Sequence, residues 1–146
     1  MPTIGTDCQI ILDGAGYFIE PAGYLVKRAR VRRADLTGVA ANPVGPGAGA
    51  GERYIDRGPG KREWNFIVVA FNAMTTYAGV SLGSTGQQIH DALQASYNKV
   101  NTPLAFTDPT GQSWTVWFDD LVEELSDVRS QVEGCQWYLH VTLVEV

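Results

Sequence analysis

From Pro103 onward the chain alternates apolar and polar residues more cleanly than anywhere else. Leu104 to Thr107 reads as a short strand, and Asp108-Pro109-Thr110-Gly111 follows with the residue order of a type I turn: aspartate first, proline second, glycine fourth. Ser113 to Asp119 then pairs back, with Trp114, Val116 and Phe118 on one face. An acidic run, Asp119, Asp120, Glu123, Glu124 and Asp127, reads as a connection. The closing strand Gln136 to Val146 places Trp137, Leu139, Val141 and Leu143 inward, and Gln136, Tyr138, His140 and Thr142 outward.

Upstream, Cys8 to Leu12 reads as a short apolar strand ended by the turn Asp13-Gly14-Ala15-Gly16, and Tyr17 to Glu20 as a second strand. Tyr24 to Arg33 is β-like, with Tyr24, Val26, Arg28, Arg30 and Arg32 on one face and Leu25, Lys27, Ala29, Val31 and Arg33 on the other. Neither face stays apolar, which predicts a strand rooted in the core whose tip projects beyond it. The stretch Thr37 to Gly51, with Val39, Pro43, Val44 and Pro46 among its glycines and alanines, offers almost nothing to bury and predicts a flexible loop. With Glu52 to Lys61 as the returning arm, it becomes the tip of a long basic hairpin inserted over about 34–56 of a single domain spanning 1–146. Glu63 to Asn72 alternates apolar residues on both faces and predicts a central strand. One helix follows, opened by a capping box at Ser84/Gln87 or Thr85/Gln88, striped by Ile89, Leu93, Tyr97 and Val100 and stopped by Pro103. His90 and Asp91 fall off that stripe and are expected in solvent.

The 146-residue length allows one core, and 16 glycines agree with many turns. Met1 to Asp7 lacks the basic and apolar regions of a signal peptide, and no apolar run is long enough to span a membrane, so neither secretion nor insertion is expected. Cys8 and Cys135 are either a terminal staple or two small buried hydrophobes; the second is favoured, because free cysteine is commonly buried. With His90 and His140 they make four possible ligands, but none are paired at a metal-binding spacing, so no metal is expected.

Charge changes the picture more. The formal net charge is −5, yet nine of the eleven basic residues lie between Lys27 and Arg62: Lys27, Arg28, Arg30, Arg32, Arg33, Arg53, Arg57, Lys61 and Arg62. From Glu63 onward ten carboxylates face only Lys99 and Arg129. Solvation alone, nucleic-acid contact and a head-to-tail interface all remain open, with self-assembly ranked above nucleic acid because an acidic domain repels a polyanion. The basic hairpin (Lys27, Arg28, Arg30, Arg32, Arg33, Arg53, Arg57) and the acidic face (Asp119, Asp120, Glu123, Glu124, Asp127) are the candidate interface. Neither glycine-rich stretch carries a phosphate-loop motif, since Arg62 stands where a hydroxyl is required. Consecutive exposed acids also lack the cleft that drives two carboxylate pKa values apart. No catalytic residue, cofactor, metal or small-molecule substrate is therefore expected.

The order of a basic glycine-rich approach (Arg57-Gly58-Pro59-Gly60-Lys61-Arg62-Glu63-Trp64), a central strand, one helix, the hairpin from Pro103 to Phe118 and a closing strand resembles the tail-tube-like domain of tailed bacteriophages. That domain is shared by tube proteins, distal tail proteins and baseplate hubs, and the resemblance covers roughly Glu52 to Val146. It implies a mainly β fold, a β-sandwich or half-open barrel with one flanking α-helix. It also implies six copies closing into a ring around a DNA channel, and a loop from Arg33 to Arg53 reaching a neighbour. The implied partners are the chain itself, neighbouring tail or baseplate proteins, and DNA passing without sequence recognition, with no membrane. The implied location is the virion tail, after synthesis in the host cytoplasm. The alternative is a capsid decoration protein or a small symmetric β-rich binding module.

Overall fold

A computed structural model describes residues 2–35, 53–76, 79, 81, 84–128 and 135–146. The predicted loop residues Val39, Pro43, Val44 and Pro46 lie outside the described residues. The chain divides into two compact units, one formed by Met1–Val26 with Glu63–Val146 and the other by Lys27–Arg62.

In the first unit, β1 (Ile10–Leu12) and β2 (Ala15–Ile19) form a hairpin. Its two-residue turn has Asp13 at φ 53° and Gly14 at φ 83°, the left-handed pair that matches the twist of flanking strands. β5 (Leu104–Thr107), β6 (Ser113–Val128) and β7 (Cys135–Glu145) continue the sheet antiparallel, and β7 pairs with β4 (Arg53–Ala70) from Glu63↔Val144 to Ala70↔Trp137. β2 returns to β4 at Phe18↔Val69 and Ile19↔Val68, so the six strands close into a barrel. The mainly β fold with one flanking helix is as expected, and the barrel is closed. Among the described residues the one helix is α1 (Gly86–Tyr97), which packs on β7 and β6. Thr85 and Gln88 supply its capping box: Thr85 Oγ1 accepts from the Gln88 amide at 3.2 Å while Gln88 Oε1 accepts from the Thr85 amide at 3.0 Å.

The inward positions fill the barrel. Ile10, Leu12, Trp64, Phe66, Val68, Phe106, Val116, Leu139, Val141 and Leu143 are buried, as eight-strand-or-smaller barrels require when side chains alone occupy the interior. Phe66 and Phe106 stack at 5.8 Å between centroids, and Trp64 meets Phe106 and Trp114 at 5.4 Å each. The turn after β5 forms as its residues predict, with the Gly111 amide donating to the Asp108 carbonyl at 2.9 Å.

Four expectations change. The acidic stretch is not a connection: β6 runs on through it to Val128, with irregularities between Phe118 and Asp120 and between Leu125 and Asp127 that re-aim the strand. The returning arm and the central strand are one strand, β4, which runs through Gly58 at φ 84°, a backbone angle glycine adopts without strain. Cys8 does not open the first strand, which begins at Ile10, and makes an isolated bridge to Ile4; its burial without a bond to another cysteine is as expected, and a side chain at Gly16 would stand 2.9 Å from it. The helix buries Gly86, His90, Leu93 and Ser96, so His90 belongs to the packed face, whereas Val100 beyond the helix is exposed.

The second unit takes β3 (Leu25–Asp35) from Lys27 on and β4 up to Arg62, which carry the basic residues, and β3 ends the strand order beside β4. Arg28 Nε donates to the Gly60 carbonyl at 2.7 Å, bracing the hairpin internally.

Candidate functional site

The predicted interface residues separate by unit. Lys27–Arg62 contains nine cations against Asp35, Glu52 and Asp56, a formal +6, whereas the rest of the chain has two cations against thirteen carboxylates, a formal −11. Lys27, Arg28 and Arg30 are exposed on β3; Arg32, Arg33, Arg53 and Arg57 are placed by their strands alone. At the root of β3, Leu25 and Val26 are 64% and 50% exposed, large for aliphatic side chains.

The acids sit on β6. Asp119, Asp120, Glu123 and Glu124 are exposed, and Asp127 pairs in register with Gln136 of β7. They do not form one surface. Asp120, Val122 and Glu124 alternate on the outer face, opposite Thr142, His140 and Tyr138. His140 Nε2 lies 2.8 Å from Glu124, an exposed pair that contributes little to stability.

Glu123 points the other way, into a cluster that sequence reasoning missed. Its Oε1 lies 2.5 Å from His90 Nε2, and Asp91 Oδ1 lies 3.0 Å from His90 Nδ1. The His90 ring stacks on Trp137 at 4.4 Å, and the Trp137 indole donates to Gln87 Oε1 at 3.2 Å. Gln87 Nε2 in turn donates to Asp91 at 3.0 Å, and the His90 hydrogen bond holds the Asp91 carboxyl below its ordinary range. Three elements, α1, β6 and β7, are thus tied by one imidazole. Its partners among the described residues are an amide, two carboxylates and an indole. The signal was present in the sequence: Gly86, His90, Leu93 and Tyr97 recur at helical spacing as well as Ile89, Leu93, Tyr97 does. Replacing His90 with alanine is expected to cost about 2–3 kcal/mol by removing a buried stacked ring and its hydrogen bonds. Asp91→Ala, at an exposed pair, costs under about 0.5 kcal/mol; urea unfolding of both variants checks the contrast.

A second tie joins the barrel to the far end of the helix. Asp13 Oδ2 accepts from Ser96 Oγ at 3.0 Å and from Lys99 Nζ at 2.5 Å, a contact aimed by the left-handed turn that carries Asp13. The Tyr17 hydroxyl is buried beside a cleft of about 90 Å³ lined by Phe18, Val69, Met74 and Ile89. Burial, then Asp13, pushes its pKa up to about 12, out of reach of acid–base work near neutral pH. Among the described residues no three His, Cys, Asp or Glu side chains converge as a metal site, and no helix is long and apolar enough to cross a membrane. No protein-family model matches the chain, and no curated protein matches it.

Proposed function

We propose that this chain is a non-enzymatic structural subunit of a bacteriophage tail (tube, distal tail or baseplate) that closes with its own copies into a ring around the DNA channel. The observation that carries this reading is the coincidence of two divisions: the chain parts into two compact units at the same places where its charge changes sign. One polypeptide carrying two complementary patches makes a heterologous contact, and such contacts close into rings when the rotation allows. The filled barrel serves as a rigid body bearing the acidic patch, and the hairpin supplies the basic one. The resemblance of the Glu52 to Val146 pattern to tail-tube-like domains supplies the tail and the six-fold symmetry of the proposal.

Light scattering and negative-stain imaging of the purified chain test it, at about 0.05 M and about 0.5 M salt. Six-fold annuli or tubes at low salt, weakening as the screening length shrinks below about 5 Å, are the expected result. A three-fold plug without a hole would favour capsid decoration, and a monomer at every salt and protein concentration would defeat the ring.

A further inference from the structure

Among the described residues, the outer edges of β3 and of the second half of β6 have no strand beside them, and they carry opposite charge. β6 has sixteen residues, of which only four, Ser113 to Val116, pair with β5, leaving the twelve from Trp117 to Val128 without a strand on that side among the described residues. Val122 through Ser126 are all exposed, and the Leu121 amide donates to the side chain of Asp120 at 3.0 Å. β3, eleven residues long, ends the strand order with β4 as its one strand neighbour among the described residues. At about 3.4 Å per residue the two edges run to nearly the same length, on the order of 40 Å.

Open edges invite pairing with other chains, and charge decides which pairing is allowed. Two β3 edges would bring together Lys27, Arg28 and Arg30 of each copy, and two β6 edges would oppose Asp119, Asp120 and Glu124; like charges directly opposite are unfavourable. Only the mixed pairing sets arginine against carboxylate. We propose that the β3 edge of one copy pairs with the Trp117–Val128 edge of β6 in a second copy, extending the sheet across the subunit boundary. The proposal rests on the self-assembly reading above and names its contact. Each copy offers one β3 edge and one β6 edge, so the pairing is head-to-tail.

Charge reversal tests it. Arg28→Glu, Arg30→Glu and Arg32→Glu together take the β3 edge from a formal +4 to −2, so that both edges of one chain are acidic; Asp119→Lys, Asp120→Lys and Glu124→Lys together take the β6 edge from a formal −5 to +1, so that both edges of another are basic. Circular dichroism establishes that each is folded, and sedimentation velocity at low salt reads association. Each variant alone is expected to associate about 100-fold more weakly than the native chain, and an equimolar mixture to regain the native oligomer, since every junction is again mixed in sign. Hydrogen exchange on the native chain is expected to slow at least tenfold across Leu25–Asp35 and Trp117–Val128 on assembly, which decides the matter should either variant fail to fold.

Native rings that survive both reversals, a mixture that stays monomeric, or assembled chains whose edge amides exchange as before would overturn the edge pairing and leave the ring standing. A native chain that never associates overturns both. A chain that stays monomeric yet binds DNA at low salt, and loses it on reversal of Arg28, Arg30 and Arg32, assigns the basic edge to nucleic acid instead.

Discussion

Trp64→Ala is expected to lower the unfolding free energy by about 3–5 kcal/mol, the range for deleting a buried indole. Trp64 is 1% exposed and touches Phe106 on β5 and Trp114 on β6, while its backbone register opposes Leu143 on β7. These neighbours belong to strands held at fixed spacing by a closed hydrogen-bonded ring, so they cannot move inward to fill the space. In a chain of this size the loss lowers the melting temperature by about 10 °C. Trp64→Phe retains part of the ring volume and costs about 1–2 kcal/mol. Denaturant unfolding with an unchanged m-value measures both; a loss below about 1 kcal/mol for the alanine variant would mean the barrel can collapse locally.

Asp108 is the second sensitive position, and its effect depends on pH. Burial by itself would raise its carboxyl, but hydrogen bonds from the Thr110 hydroxyl, the Trp114 indole and the Gln112 and Thr110 amides outweigh it and hold the pKa below the usual carboxylate range. The distances are 2.5 Å to Thr110 Oγ1, 3.0 Å to Trp114 Nε1, 2.9 Å to the Gln112 amide and 3.0 Å to the Thr110 amide. Since the folded pKa lies below the unfolded value of about 3.9, the charged form stabilises the fold fully above that value, and the contribution fades as pH falls through the folded pKa. Asp108→Ala leaves those donors without an acceptor and costs about 2–4 kcal/mol at neutral pH. Asp108→Asn keeps the shape but cannot titrate. The difference in stability between native protein and this variant is therefore expected to shrink as pH falls below about 4, and a difference that stays constant there would remove the carboxylate from the account.

What could be read from the sequence was what local chemistry decides. The Asp108 turn, the Thr85/Gln88 box and the inward alternation of Trp137, Leu139, Val141 and Leu143 are each settled within a few residues. The failures share a different cause. His90 is buried because Glu123 and Trp137, 33 and about 47 residues away, receive its ring. The strand through Asp119 and Glu124 persists because β7 pairs with it across the whole length, so the acids need only face solvent from an edge. Barrel closure joins Phe18 to Val69, and no periodicity near either residue records that partnership. The basic hairpin was legible as charge, but the unity of β4 was hidden by Gly58-Pro59-Gly60, which punctuates a turn in most contexts.

The stacked rings of Trp64, Phe66 and Phe106 have one more consequence. They make each barrel a solid plug with no bore, so nothing passes along its axis. Any aperture that copies of this chain enclose is walled by the outsides of their barrels and arms, and its width depends on how many copies meet and at what angle. Permeability would then be a property that no single copy possesses, and mutations in the hydrophobic interior could abolish the wall without ever altering the shape of the hole.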